Sequence, residues 1–208
     1  MKKEVIDFLK QHGHKSTAEL ALLLSKQSHL PKNLIINQAN GRQKAKQKFP
    51  FLVQYPEYIF PSATAVAQSS SEKTAKYKSS IMSAKKIADL SGGMGLDSVF
   101  FVQKADSCYY VEHNEELAQL TQQNFIKLGI NNIEVKCEDA VRFLENAILF
   151  FDLIYIDPDR RANKERAFKI EDCQPNVAQL LTLIFQKSKA CLIRILISTF
   201  LIDRALYS

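Results

Sequence analysis

Four short apolar runs in this 208-residue chain end in carboxylates, a placement that suggests chemistry at one edge of a fold. Asp89 closes 87–89, Glu112 closes 107–112, the pair Glu138-Asp139 closes 132–139, and Asp157 closes 149–157 just before Pro158. Directly after Asp89 comes Leu90-Ser91-Gly92-Gly93-Met94-Gly95-Leu96-Asp97-Ser98, with three glycines in four positions. Glycine lets backbone turn sharply and approach a ligand closely, and the helix that follows offers free N–H groups. A carboxylate can accept both hydroxyls of a ribose diol through charge-assisted bonds. A nicotinamide fingerprint, G-x-G-x-x-G, fits poorly. Gly93 and Gly95 supply its first pair, but its third position is Ser98, where close helix–strand packing wants Gly or Ala.

Helical patterns separate these runs. Residues 115–128 carry Leu117, Leu120, Phe125 and Leu128 on one side, and 140–146 form a second short helix. A helix over 177–187 precedes an Ile- and Leu-rich fifth strand at 190–199. Strands alternating with helices predict an α/β fold with a parallel sheet, whose ligands lie at the strands' carboxyl ends. All four acidic ends fall on that edge.

The series Asp89-Leu90-Ser91-Gly92-Gly93-Met94-Gly95, Glu112, Glu138-Asp139, Asp157-Pro158 resembles the motif series of class I S-adenosylmethionine-dependent methyltransferases. The resemblance implies a Rossmann-like fold and S-adenosyl-L-methionine as cofactor. It places Gly92, Gly93 and Gly95 near the methionine moiety, Glu112 on the ribose hydroxyls, and Asp139, with Glu138 as the rival, on the adenine amine. Asp89, Ser91, Asp97, His113 and Ala140 flank these positions and join the cofactor-binding candidates. Asp157 and Pro158 stand where the family meets its acceptor. The turn Asp157-Pro158-Asp159-Arg160 lacks the aromatic of the amine-methylating (Asp/Asn)-Pro-Pro-(Tyr/Phe) motif. It looks more like the Asp-Pro-Pro-Arg of RNA pyrimidine C5-methyltransferases. Those need a cysteine from the end of the fifth strand. Here Cys191 begins that strand and Cys173 lacks a base, so a covalent route is not expected. Arg160 and Arg161 are expected either to clamp substrate phosphate or to pair with neighbouring acids.

A narrower resemblance, through residues 68–78, the glycine loop and 156–161, is to a bacterial methyltransferase group that carries a THUMP-like carboxyl-terminal domain and is connected with RNA. That domain is not expected within these 208 residues. The end of the chain also lacks the group's Lys-x-Ser-Pro pattern and stops within ten residues of the fifth strand. The expectation is a sheet truncated after the fifth strand, where the full fold has seven, with an exposed edge open to self-association.

Charge divides the chain. Residues 1–80 hold 13 Lys and Arg against 5 Asp and Glu, whereas the rest holds 15 against 17. A basic lobe beside a near-neutral one suits an enzyme acting on RNA, because phosphate neutralisation supplies affinity. The expected organisation is a basic helical lobe and linker over 1–65 and the cofactor-binding domain over 66–208. Within the lobe, Ser16 and Glu19 form a capping box, Pro31 opens a third helix, and 41–48 is the densest basic cluster. Arg42, Lys44 and Lys46 are its candidates for phosphate contact. The Pro- and aromatic-rich stretch 49–61 either stacks on bases or staples the linker to its neighbour. A second capping box, Ser69 to Glu72, begins a helix that the methyltransferase resemblance places beside the cofactor loop, so that Ser70, Thr74 or Lys78 is expected to reach the pocket.

Cys108, Cys137, Cys173 and Cys191 show no C-x-x-C, and the first two, with Cys191, lie in strands expected to be buried; reduced thiols in a cytoplasmic protein are the reading. No apolar stretch approaches the roughly 18 residues of a membrane span. His12 and His14 lack acidic or thiolate company, so no metal site is expected.

Overall fold

A computed structural model of the chain describes residues 1–158, 176–195 and 198–203. Apolar side chains alternate along its central strands and both faces are covered, as a parallel sheet requires. β1 (Lys86–Asp89) turns Ile87 to one face and Ala88 to the other. Beside it run β2 (Ser107–Val111), β3 (Ile133–Lys136), β4 (Phe151–Ile156), β5 (Ser188–Ile195) and β6 (Ser198–Asp203). The spatial order is β3-β2-β1-β4-β5-β6. α8 (Ala140–Asn146) and α9 (Val177–Lys187) cover one face, packing Phe143, Leu144, Leu180 and Ile184 with Ile154, Ile156 and Cys191. α6 (Leu96–Phe101) and α7 (Glu115–Lys127) cover the other.

The sheet departs from the sequence expectation at its end. Beyond β5 lies a sixth strand, paired antiparallel from Ala190↔Asp203 to Ile195↔Ser198. The fifth-strand edge is therefore covered and offers no open ladder for self-association. The Ile- and Leu-rich run from 190 to 202 carries no Gly, Pro or Asn to mark a reversal, so its pattern reads as one strand. Cys137 is also corrected: it is exposed, while Cys108 and Cys191 are buried. On α7 the buried stripe is Ala118, Thr121, Asn124 and Phe125, with Leu117 and Leu120 at its margin. Two polar residues occupy the inward stripe because each has a backbone group to bind.

The basic lobe comprises α1 (Lys3–His12), α2 (Thr17–Ser25) and α3 (Lys32–Lys48), closed around Val5, Leu9, Leu20, Leu24, Ile35 and Ala39. Both halves of the Ser16–Glu19 capping box form. A 3-10 turn (Pro50–Gln54) and α4 (Ala63–Gln68) follow. α5 (Glu72–Ser80) is capped by Ser71 rather than Ser69. Glu72 instead accepts the Phe51 N–H and pairs with Lys76.

Between lobe and sheet the linker is gripped from both sides. The Gln38 amide donates to the Phe60 carbonyl and accepts its N–H, each at 2.8 Å. The Asn124 amide on α7 does the same to Ile59, at 2.8 and 3.0 Å. Phe49, Tyr58 and Phe60 are buried with Met94 and Leu96 of the glycine-loop region. The aromatic linker thus staples the lobe to that loop.

Gln38→Ala or Asn124→Ala leaves a buried backbone N–H and C=O unpaired. Each is expected to cost about 1–3 kcal/mol in urea unfolding. A loss near zero for both would show that the clamp does not hold the lobe.

Candidate active site

β1 ends in Asp89, which is 1% exposed and accepts from the Ser91 N–H and the Ser98 hydroxyl, the latter at 2.6 Å. Burial pushes its carboxyl up to about 7, although the Ser98 bond works the other way. Its inward position beneath the loop makes it a support for Ser91 and for the first turn of α6.

The loop is pinned by β2. The Gly92 N–H donates to the Val111 carbonyl, and the Gly93 N–H donates to Glu112 Oε2 at 2.9 Å. The Tyr110 hydroxyl and Thr121 both donate to the Gly93 carbonyl. The three glycines serve different ends. A Cβ at Gly92 would strike the Tyr110 ring, and one at Gly95 would strike Phe125 and Thr121. At Gly93, with φ +53°, the nearest atom to a Cβ is the Ser91 carbonyl oxygen at 3.7 Å. Gly93 thus presents the open backbone, whereas Gly92 and Gly95 admit neighbouring side chains.

Glu112 stands at the carboxyl end of β2 with Oε1 accepting the Asn114 N–H. His113 is a surface residue, its Nδ1 3.3 Å from Glu112 Oε1. Asp139 caps α8, one oxygen accepting from the Val141 and Arg142 amides. Glu138 beside it is half-buried. The Ala140 side chain lies in the core.

Asp97 points inward, not outward. Its Oδ2 receives the Lys78 ammonium at 2.5 Å, the Ser70 hydroxyl at 2.9 Å and the Tyr155 hydroxyl at 3.0 Å. Its Oδ1 is buried and has no hydrogen-bond partner among the described residues.

Asp157 follows β4, and its N–H donates to Ser91 Oγ at 2.7 Å, which ties the turn after β4 to the glycine loop. Its Oδ2 pairs with Arg194 Nη1 of β5 at 2.6 Å. Burial would lower the Arg194 guanidinium, but the Asp157 carboxylate outweighs it and the group is raised. Pro158 is buried behind the turn. Sequence reasoning missed Arg194; the available signal was a lone cation inside the apolar run 190–197. It also missed Tyr155 and Ser98 as anchors. Arg160, Arg161 and Cys173 lie outside the described residues. Cys191 is buried and its thiol is pushed up to about 12 by burial, which suits a core residue and not a nucleophile.

In the basic cluster the candidates divide. Arg42 turns inward, donating from Nη2 to the carbonyls of Pro56 and Tyr58 over the Phe60 ring. The linker supplies acceptors at the right distance, so this cation serves structure first. Lys44 and Lys46 are exposed. Lys48 donates to the Val66 and Ala67 carbonyls at the end of α4, and its ammonium is lowered by burial and then by Arg194 and Lys44. No cluster of three or more metal-ligating side chains occurs among the described residues, and no helix there is long and apolar enough to cross a membrane.

A solved structure of a candidate methyltransferase from Porphyromonas gingivalis W83 superposes with a TM-score of 0.72 over 91% of this chain and 47% of its own, at 24% identity. The chain has the Rossmann-like class I methyltransferase fold. Two curated proteins are similar in sequence. Ribosomal RNA small subunit methyltransferase J of Bdellovibrio bacteriovorus is 36% identical over 80 residues, covering 36% of this chain and 32% of that protein. Ribosomal RNA large subunit methyltransferase K/L of Desulfotalea psychrophila is 31% identical over 106 residues, 50% of this chain and 15% of that one. The chain thus spans a third or less of either curated relative. No family model matches the sequence.

Two predictions follow from the loop. Gly93→Ala is expected to lower stability by about 1–2 kcal/mol, the cost of a left-handed backbone at a non-glycine residue. Gly92→Ala and Gly95→Ala, which must displace rings, are expected to lower it further; thermal unfolding of the three variants ranks them. Asp89 supplies a pH test. An unfolded aspartate titrates near 3.9, so between about pH 4 and 7 the unfolded chain loses this proton while the folded chain keeps it. The contribution of Asp89 to stability declines across that window and levels off above it. The melting temperature of Asp89→Asn, relative to the unsubstituted chain, should therefore rise between pH 5 and pH 8; a flat difference refutes the raised value.

Proposed function

We propose that the chain is an S-adenosylmethionine-dependent methyltransferase domain acting on RNA, with a base of ribosomal or transfer RNA as acceptor. The observation that carries this reading is the Ser91 bridge. It joins the glycine loop, which Glu112 braces, to Asp157, so a cofactor site and an acceptor site meet at one hydroxyl. The names of the two curated relatives favour ribosomal RNA.

The residues present fit the cofactor's functional groups. Asp97 Oδ1 is a buried acceptor in want of a donor, which a methionine ammonium would supply. Glu112 would take the ribose diol, Asp139 or Glu138 the adenine amine, and Gly93 leaves its backbone open. When bound, the cofactor supplies an electrophilic methyl on sulfur. The protein's contribution is positioning: an in-line displacement needs the nucleophilic atom held against that methyl with water excluded. Asp157 would accept a hydrogen bond from the acceptor's N–H. Arg194 is a positioning residue that holds the carboxylate in place, and Ser91 fixes the backbone beneath it.

Calorimetric titration with S-adenosylhomocysteine tests the cofactor half. Glu112→Ala and Asp139→Ala are each expected to weaken binding about tenfold or more, the worth of hydrogen bonds to a charged group. Transfer of labelled methyl to ribosomal RNA tests the rest. Arg194→Ala is expected to lower turnover with cofactor affinity retained, and Arg194→Lys to restore part of it. Retained RNA binding without cofactor binding would overturn the enzyme reading in favour of an inactive RNA-binding module.

A further inference from the structure

We infer that the cleft between α1 and α3 in the basic lobe is a slot for one unpaired nucleotide of an RNA strand, distinct from the methyl-transfer site. The inference rests on the RNA reading above and specifies where the strand is held. The cleft has a volume of about 390 Å³, within the roughly 300–1,000 Å³ of small-ligand sites. Leu9, Leu52, Val53 and Phe60 give it apolar walls, and Lys10, His14, Arg42 and Lys46 supply basic groups around them. Among the described residues no Asp or Glu lines it. Gln43 closes one end by donating to the Gly13 and Lys15 carbonyls.

Arg42 provides the second observation. Two carbonyls take its Nη2, yet its Nε is buried without a hydrogen-bond partner among the described residues. A buried donor left unpaired costs about 1–3 kcal/mol, which an acceptor atom entering the cleft would recover. Apolar walls, a cationic lining and an unpaired N–H together select a flat, weakly polar body attached to an anion. A nucleotide has that form, and unpaired RNA bases are recognised by insertion beside aromatic or arginine planes. A strand fits better than a free anion because two exposed lysines, Lys10 and Lys46, rim the cleft and can meet phosphates on either side of the inserted nucleotide.

The test uses the full chain and a short single-stranded RNA carrying one 2-aminopurine. Val53→Glu places a carboxylate at the mouth from a residue 49% exposed, so the fold should tolerate it. Lys46→Glu reverses one rim charge, and Ile126→Glu, 73% exposed on α7, makes the same charge change as Val53→Glu and is its control. Anisotropy should show Val53→Glu and Lys46→Glu binding about tenfold or more weakly, with the control within about twofold. The 2-aminopurine fluorescence should change on binding the unsubstituted chain and not on binding Val53→Glu. RNA binding by Val53→Glu equal to the control overturns the slot, as does adenosine monophosphate binding there as tightly as the strand. Titration with S-adenosylhomocysteine is scored separately. A chain that fails that titration but loses RNA binding in Val53→Glu refutes the enzyme reading and retains the slot; the reverse result refutes the slot alone.

Discussion

Lys78 has no exposed surface, and its ammonium is the point on which the site depends. An ammonium has three donors and no acceptor. Here they reach Ser70, Asp97 and Tyr155, which belong to the approach to α5, the first turn of α6 and the strand β4. One cation therefore fixes three segments, the farthest of them 77 positions from it in sequence. Breaking a buried pair costs about 3–5 kcal/mol because the remaining charge stays uncompensated. The segments it joins flank the glycine loop on one side and lead to Asp157 on the other. Burial holds the Tyr155 hydroxyl well above its usual range, so it remains a neutral donor to Asp97.

The basic lobe gains its orientation from a different device. Gln38 and Asn124 bind consecutive linker residues with both ends of their amides, one from α3 and the other from α7. Side-chain amides that pair with backbone in this way replace a strand neighbour for two residues. The result fixes α3 relative to the sheet. Through this clamp the basic lobe is held in one orientation to the sheet.

The strand ends, the glycine loop and the alternation of helix and strand were legible because each leaves a local pattern: an apolar run, a turn residue, a carboxylate. Asp89, Glu112, Asp139 and Asp157 all lie where that pattern places them. What was not legible depends on partners far away in sequence. Asp97 reads as a loop carboxylate until Lys78 is seen beneath it. Arg42 belongs to a basic run, and nothing local says that the Pro56 and Tyr58 carbonyls will turn it inward. β6 escaped because apolar residues continue without a breaker. The division of Ser69, Ser70 and Ser71 among three tasks, ending α4, joining Lys78 and capping α5, cannot be read from three identical letters.

The three glycines of the loop do not share one physical cause. Three glycines in four positions suggest a ligand approaching bare backbone. Tyr110 occupies the space a side chain at Gly92 would take, and Phe125 and Thr121 occupy that at Gly95. These neighbours are themselves committed: Tyr110 and Thr121 hold the Gly93 carbonyl, and Asn124, adjacent to Phe125, holds the linker. Two glycines thus let α7 and β2 close on the loop, and that closure presents the third, Gly93, with its N–H fixed by Glu112. The residue proposed for the ribose is also the residue that sets the loop's shape. Replacing Glu112 would therefore alter two things at once, the acceptor for the diol and the conformation of Gly93. Asp139 has no hydrogen bond to that loop, so its substitution separates cofactor contact from loop geometry more cleanly.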